Sequence, residues 1–200
     1  RLKSGSSLQD FDFKNFRHDI SSLYHPDAFH NFPEEMKIDP DLLFGSMYSE
    51  LKDVETAINV FAPVEANLMT FHLEACKDEE EVFKFINMIK DNHSRVGIAV
   101  KPDTKIEEIY NFLPFIHVVL VMTVEPGKGG QTLISDMVDK IGTLKKHIDE
   151  NDLDNVIEVD GGINLATCER VKEAGASMLV AGTAILMAKD YGNIIGELKS

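Results

Sequence analysis

Three glycine-containing loops follow apolar runs in the second half of the chain. Residues 118–131 read VVLVMTVEPGKGGQ, and residues 155–183 begin NVIEVDGGIN and end MLVAGT. Glycine permits positive φ and close backbone approach, and loops that open helices present backbone N–H groups to an anion. A tight strand-to-helix turn without a ligand is the alternative. Lys128 inside the first loop favours an anion site, and the set of three loops predicts a phosphate site.

An acidic residue, Asp160, lies at the start of the second loop, between the run IEV and the pair Gly161-Gly162. Asp160 could cap the following helix, although Asn164 is better placed for that role. A carboxylate at the carboxyl end of a barrel strand is more typical of catalysis. Asp160 is therefore predicted to act as a general acid/base, as a metal ligand, or as both.

Five strand-then-helix units follow residue 68. Strands are predicted at residues 68–73, 96–100, 118–122, 156–159 and 178–181, with helices at about 82–89, 103–112, 133–148, 166–174 and 191–198. Runs of Val, Ile and Leu without polar alternation are typical of parallel strands that are buried on both faces. The pattern fits an open doubly wound sheet or a (β/α)8 barrel. Phosphate loops after the last strands, and no GxGxxG after the first, favour the barrel.

The first 67 residues follow this pattern less clearly. A strand is predicted at residues 2–8, a helix at 13–23, and a further unit from a strand at 42–47 and a helix at 54–61. Residues 24–40 contain three prolines and no apolar strand run. We expect one domain over residues 1–200, a TIM barrel that is incomplete or irregular in its amino-terminal third.

Composition limits the classes of partner. The 200 residues are 44% hydrophobic, enough for one sizeable core. With 34 acidic and 20 basic residues the formal charge is −14, which opposes binding to nucleic acid or to an anionic membrane. No apolar run reaches membrane-spanning length and no signal segment is expected. Two isolated cysteines favour a reducing compartment.

Several segments resemble the ribulose-phosphate 3-epimerase family. They are VMTVEPGKGGQ, IEVDGGIN, AGASMLVAGTAI, TFHLEA and VGIAVKPDT, and the resemblance runs from residue 68 to about residue 185. It implies a cytoplasmic TIM-barrel enzyme of the pentose phosphate pathway that interconverts ribulose 5-phosphate and xylulose 5-phosphate. It also implies a homo-oligomer, most simply a dimer.

The resemblance implies roles for individual residues. In the family, two Asp carboxylates on opposite sides of C3 shuttle a proton while one divalent metal ion (Zn, Fe, Mn or Co) steadies the enediolate. Asp160 matches one of these carboxylates, which is also a metal ligand. Ser6 and Met122 match residues that contact the substrate. The positions that match the phosphate site are Gly127, Lys128, Gly129, Gly130, Gly161, Gly162, Gly182 and Thr183.

The first half of the family's site is matched less well. The nearest counterpart of its H-x-D motif is His25-Pro26-Asp27, which makes Asp27 the second catalytic carboxylate and both His25 and Asp27 metal ligands. The third-strand His of the family falls on Met47, a poor ligand for such a metal. Lys128 replaces an aromatic residue of the family's loop. His72, His93, His117 and His147 are expected to be structural or solvated.

Two rival functions follow from these departures. One is a divergent, catalytically impaired homologue that binds a sugar phosphate without a metal. The other is a different phosphate-binding barrel, of the indole-glycerol-phosphate or thiamin-phosphate type. The combination of VEPGKGGQ with VDGGIN favours the epimerase over the second rival.

Overall fold

The structure is a computed structural model that describes residues 54–61, 66–127 and 130–200. Its centre is a parallel sheet of five strands, in the order in which they occur along the chain. The strands are β1 (Leu68–His72), β2 (Arg95–Val100), β3 (Val118–Met122), β4 (Val156–Asp160) and β5 (Met178–Val180). This sequential order is that of a TIM barrel, whereas a doubly wound sheet reverses its order at a switch point. All five predicted strands are confirmed, and no strand end differs from its prediction by more than one residue.

Helices alternate with these strands. They are α1 (Val54–Phe61), α2 (Glu79–Asp91), α3 (Asp136–Glu150), α4 (Cys168–Glu173), α5 (Gly182–Leu186) and α6 (Tyr191–Lys199), and 3₁₀ segments cover Leu73–Ala75 and Ile106–Phe115. In α2, the side chain of Asp78 accepts a hydrogen bond from the N–H of Glu81 at 2.9 Å and caps the first turn. No helix in the described part of the chain is long and apolar enough to span a membrane.

The two faces of the sheet differ. Val119 and Val121 of β3 pack with the helices in the main core, whereas Leu120 and Met122 join Ala99 of β2 in a small separate cluster. Side chains alternate between the two faces of a strand. We call the face that carries Ala99, Leu120 and Met122 the inner face, because in a TIM barrel the side opposite the helices is the barrel interior.

Three helices begin later than the sequence predicts, and one of them is α4, which begins at Cys168 instead of at about residue 166. The helix expected from residue 133 begins at Asp136, because the N–H of Ile134 donates to the Thr123 carbonyl at 2.9 Å and holds this segment against the loop after β3. The helix expected from residues 103–104 begins at Ile106 as a 3₁₀ helix. The Thr104 hydroxyl donates to the carboxylate of Glu74 instead of capping that helix.

The predictions for the amino-terminal third fall largely outside the described residues. This applies to the strands at 2–8 and 42–47, the helix at 13–23 and the irregular segment 24–40. The helix predicted at 54–61 is confirmed as α1.

Candidate active site

Asp160 ends β4 on the inner face of the sheet. Its neighbours Ile157 and Val159 belong to the main core on the helix side, so alternation directs Glu158 and Asp160 to the opposite face. Met122 is the register partner of Asp160 on β3, and Val180 is its partner on β5. The structure therefore brings together Asp160 and Met122, two of the predicted site residues.

The environment of Asp160 suits proton exchange near neutral pH. Burial, followed by the negative charge of Glu158, raises the pKa of Asp160 from 3.8 to about 6. Burial also raises the pKa of Glu158. Asp160 does not cap the next helix: α4 begins at Cys168, and the Asn164 side chain accepts the Ala166 N–H at 2.8 Å in the turn before it. A carboxyl group with a pKa near working pH can both accept and return a proton.

Thr123 joins the loops after β3 and β4. Its N–H donates to the Asp160 carbonyl at 2.8 Å. Its hydroxyl lies 2.9 Å from the same carbonyl oxygen and 2.5 Å from the Gly161 carbonyl oxygen. The single hydroxyl proton is shared between these two acceptors. The Thr123 side chain is fully buried, with 0% exposure. Thr123 is absent from the sequence-based predictions, although a lone polar residue directly after an all-apolar strand is a signal for such a role.

Gly161 and Gly162 lie where only glycine fits. Their φ angles are +122° and +66°. A Cβ on Gly161 would lie 2.4 Å from a methyl group of Val124, and one on Gly162 would lie 2.3 Å from the Leu133 nitrogen. The second contact is with backbone, which cannot move aside as a flexible side chain can. These two glycines therefore let the β4 loop pack directly against the β3 loop.

Gly127 and Gly130 adopt positive φ for a different reason. Their φ angles are +104° and +72°, and a Cβ on either residue would meet no atom within 4 Å. The Gln131 side chain donates to the Glu125 carbonyl at 2.6 Å and closes the loop. Gly127 and Gly130 thus have positive φ and open space beside them, as an anion-binding turn requires. Lys128 and Gly129 lie outside the described residues.

Gly182 and Thr183 are the first residues of α5, immediately beyond β5. Both residues are exposed, and a Cβ on Gly182 would meet nothing within 4 Å. Because β3, β4 and β5 are parallel neighbours, their three following loops lie at one edge of the sheet. The predicted glycine loops are therefore adjacent, with Asp160 at the end of the middle strand.

A histidine–carboxylate pair lies at the end of β1. His72 is on the inner face, because Met69 and Phe71 pack in the main core, and it is 2% exposed. Its Nδ1 lies 3.1 Å from Oε2 of Glu74. Oε1 of Glu74 accepts the Lys101 N–H at 2.8 Å and the Thr104 hydroxyl.

These hydrogen bonds determine the charge of Glu74. Burial alone raises the pKa of Glu74, but the hydrogen bonds from His72, Lys101 and Thr104 outweigh it and lower the pKa from 4.5 to about 2. Glu74 is therefore ionised at neutral pH. From the sequence, His72 is expected to be structural or solvated, and no role is predicted for Glu74.

Lys140 of α3 holds the loop at residues 101–104 from the other side. Its ammonium group donates to the carbonyls of Lys101 at 3.0 Å, Pro102 at 2.6 Å and Thr104 at 2.6 Å. Burial lowers the pKa of Lys140, and surrounding carboxylates, Glu74 first among them, oppose that shift. The loop after β2 is thus fixed between Glu74 and Lys140.

The described residues supply one member of the predicted metal-ligand set, Asp160. Within residues 54–61, 66–127 and 130–200, no group of three or more His, Cys, Asp or Glu side chains is arranged to hold a metal ion. The other predicted ligands, His25 and Asp27, lie outside these ranges, as does Ser6. The described part therefore does not form a complete metal site by itself.

Comparison with known protein families gives a match over most of the chain. A family model described as the ribulose-phosphate 3 epimerase family matches residues 45–186. Among curated relatives, the ribulose-phosphate 3-epimerase of Escherichia coli K12 is 35% identical over 150 residues, which are 75% of this chain and 65% of that protein. That of Eremothecium gossypii is 35% identical over 156 residues, 78% of this chain and 62% of that protein. The chain thus spans less than two thirds of either relative.

A third relative aligns over a longer range. The ribulose-phosphate 3-epimerase of Methanocaldococcus jannaschii is 33% identical over 215 aligned positions, which cover 99% of this chain and 90% of that protein.

Solved structures of TIM-barrel enzymes share the fold. A 3-hexulose-6-phosphate synthase from Salmonella typhimurium matches with a TM-score of 0.55 at 16% identity, over 76% of this chain and 70% of its own. A tryptophan synthase from Mycobacterium tuberculosis matches with a TM-score of 0.52 at 14% identity, over 80% and 58%. At sequence identities this low, structural similarity is evidence of the fold alone. It confirms the predicted TIM-barrel class.

Proposed function

Because the chain belongs to the ribulose-phosphate 3-epimerase family, we propose that it interconverts ribulose 5-phosphate and xylulose 5-phosphate by moving a proton at C3. One observation carries this proposal: Asp160, with a pKa raised to about 6, ends β4, the middle one of three parallel strands that each lead into a glycine-containing loop. A base of this strength is largely ionised at pH 7 and remains more basic than an ordinary carboxylate.

The proposed reaction uses two carboxylates in turn. One removes the C3 proton, and the electron pair of the C–H bond moves toward the C2 carbonyl to give an enediolate. The other carboxyl group returns a proton to the opposite face of C3, which inverts its configuration. Asp160 is one of the pair, and we assign Asp27 as the other from its place in the His25-Pro26-Asp27 segment.

The phosphate of the substrate is assigned to the three adjacent loops. Backbone N–H groups in turns of positive φ form anion-binding concavities, and the loops contain Gly127, Gly130, Gly161 and Gly162 at positive φ. We assign the same phosphate-binding role to the other positions that match the family's phosphate site, which are Lys128, Gly129, Gly182 and Thr183. Local donors are needed because the overall charge of −14 repels a phosphate ester. Ser6 and Met122 are assigned to the sugar.

We also propose that Asp160, His25 and Asp27 are ligands of one divalent metal ion. A bound cation would stabilise the negative charge that develops on the C2 oxygen. Metal analysis of the purified protein tests this assignment. A stoichiometric metal that is lost in the Asp160→Asn variant supports it, and a metal content that Asp160→Asn leaves unchanged counts against it.

The activity is tested by measuring the conversion of ribulose 5-phosphate with Zn²⁺, Mn²⁺, Fe²⁺ or Co²⁺ added in turn. The proposal expects turnover in at least one condition and its loss in Asp160→Asn. Folded protein without turnover in any condition overturns it. Thermal stabilisation by pentose phosphates that EDTA leaves unchanged, without turnover, would indicate a sugar-phosphate-binding homologue instead. We also propose that the protein assembles as a homodimer, which light scattering of the full chain checks.

A further inference from the structure

Two successive peptide groups in the turn after β4 are held by their carbonyl oxygens. The Gly161 carbonyl oxygen lies 2.5 Å from the hydroxyl oxygen of Thr123, in the loop after β3. The Gly162 carbonyl accepts the Thr167 hydroxyl at 2.8 Å and the Asn164 side-chain amide at 3.1 Å. We call Thr123, Asn164 and Thr167 the carbonyl anchors. They hold the turn from two sides, because Thr123 precedes it on a different strand and the other two follow it.

The hydroxyl of Thr167 has one proton, and the distances direct that proton to Gly162. Its Oγ1 lies 2.8 Å from the Gly162 carbonyl oxygen and 3.3 Å from the Asn164 carbonyl oxygen. The same Oγ1 accepts the Asn164 N–H at 3.0 Å. The hydroxyl of Thr167 is therefore used both as a donor and as an acceptor, which fixes its orientation.

The glycines make these anchors necessary. Gly161 and Gly162 have no Cβ to restrict rotation, so the peptide groups next to them can turn over at little cost. The C=O and N–H of a trans peptide group point in opposite directions. A peptide group that turns over therefore presents a carbonyl oxygen where it had presented an N–H. A side chain that holds the carbonyl prevents this exchange.

The N–H groups of Gly162 and Ile163 point away from the carbonyl anchors. They belong to the same two peptide groups as the held carbonyls of Gly161 and Gly162. Within residues 66–127 and 130–200, neither N–H group has a hydrogen-bond acceptor. Backbone N–H groups in turns of positive φ are suited to binding an anion. The turn after β4 thus offers two oriented donors at the loop to which the substrate phosphate is assigned.

We propose that the carbonyl anchors are positioning residues for the phosphate, which keep the N–H groups of Gly162 and Ile163 turned toward it. This inference rests on the proposed function, because it takes the phosphate to bind at this turn. A released peptide group could turn its partly negative oxygen toward the phosphate, which would replace an attraction by a repulsion. The anchors act through the backbone and need no contact with the substrate.

Substitutions at Thr167 and Asn164 release the Gly162 carbonyl in two independent ways. Thr167→Val keeps the shape of the side chain and removes its hydroxyl, whereas Thr167→Ser keeps the hydroxyl. Asn164→Ser removes the amide donor. Its hydroxyl can still accept the Ala166 N–H that Asn164 accepts at 2.8 Å. Each change therefore leaves the Gly162 carbonyl with one anchor in place of two.

Inorganic phosphate is the probe, because its binding is measured without a sugar and without turnover. In a titration of the ¹⁵N-labelled full-length protein, we expect the amide signals of Gly162 and Ile163 to move. The dissociation constant should rise between about threefold and about tenfold in Thr167→Val and in Asn164→Ser, as for the loss of one ordinary hydrogen bond. Thr167→Ser should restore an affinity within about twofold of the wild type.

Thr143→Val is the matched control, because the Thr143 hydroxyl donates to the Asp139 carbonyl on the exposed side of α3. Its phosphate affinity should equal that of the wild type. A purely structural role of Thr167 would lower the unfolding temperature of Thr167→Val and leave the phosphate affinity of the folded variant unchanged.

Kinetics separates the two threonine anchors. Thr167→Val should raise KM for ribulose 5-phosphate by about the same factor as the phosphate dissociation constant, with kcat within about threefold of the wild type. Thr123→Val should raise KM and also lower kcat, because Thr123 holds the Asp160 carbonyl as well.

The outcomes distinguish this inference from the proposed function. An active wild type in which the signals of Gly162 and Ile163 do not respond to phosphate overturns the inference alone. An unchanged phosphate affinity in folded Thr167→Val or folded Asn164→Ser does the same, and either variant decides if the other does not fold. Folded wild type without turnover overturns the proposed function, and the titration still reports whether the anchored turn binds phosphate.

Discussion

The hydroxyl of Thr123 lies 2.5 Å from the carbonyl oxygen of Gly161, across two loops that are 38 residues apart in sequence. The same side chain lies 2.9 Å from the Asp160 carbonyl oxygen. A buried hydroxyl with two carbonyl acceptors fixes the backbone that carries the proposed acid/base. The position of Asp160 therefore depends on the strand before its own.

Replacing Thr123 by Val removes this link while keeping the side-chain volume. The variant leaves two buried carbonyls with one donor fewer, so we expect a loss of about 1 to 3 kcal/mol in the free energy of unfolding. Activity should fall as Asp160 loses its fixed position. Urea unfolding measures the loss. Thr143→Val is the control, because the Thr143 hydroxyl donates to the backbone carbonyl of Asp139 on the exposed side of α3. A similar loss of unfolding free energy in Thr143→Val would contradict the explanation.

Gly162 should not tolerate a side chain. Gly162→Ala places a methyl group 2.3 Å from the Leu133 nitrogen at a φ of +66°, and we expect a destabilisation of about 2 to 4 kcal/mol from strain and overlap. Thermal unfolding measures it. In Gly142→Ala the new methyl meets nothing within 4 Å inside a helix, so this control should gain up to about 1 kcal/mol. Equal effects of the two substitutions would refute the packing argument.

Asp160 should destabilise the metal-free fold at alkaline pH. Its folded pKa is raised from 3.8 to about 6, so ionisation of this carboxyl opposes folding. The penalty is absent below about pH 3.8 and complete above about pH 6. Asp160→Asn in EDTA should therefore be more stable than the wild type by about 2 to 3 kcal/mol at pH 8, and this difference should shrink as the pH falls through 6. A difference that does not vary with pH would contradict the raised pKa.

The contribution of Glu74 to folding stability should depend on pH in the opposite direction. Its folded pKa is lowered from 4.5 to about 2, so its contribution to stability is present above pH 4.5 and is lost as the pH falls toward 2. The stability difference between the wild type and Glu74→Gln should therefore be larger at pH 7 than at pH 3, as measured by urea unfolding at each pH. Glu80→Gln, at an exposed position in the first turn of α2, should show no such change. A difference that grows on acidification would exclude the proposed hydrogen-bonded carboxylate.

Features that depend on a short stretch of sequence could be predicted, whereas contacts between residues that are far apart in the sequence could not. The strands were predictable because β2 and β3 are continuous apolar runs, and the place of Asp160 because it directly follows such a run. Thr123 was not predicted as a link, since its acceptors are 37 and 38 residues away. The same holds for Glu74, whose contacts to Lys101 and Thr104 span 27 and 30 residues. The assignments of Ser6, His25 and Asp27 stay predictions.

Exchange of the C3 hydrogen of ribulose 5-phosphate with D2O tests the central claim most directly. ¹H NMR follows the C3–H signal in the presence of the wild type, Asp160→Asn, and Asp139→Asn as a control on the exposed side of α3. We predict loss of the C3–H signal with the wild type and Asp139→Asn. With Asp160→Asn the signal should persist while pentose phosphate still raises the unfolding temperature. Exchange by Asp160→Asn at the wild-type rate, or none by folded wild type, would contradict the assignment of Asp160 as the proton carrier.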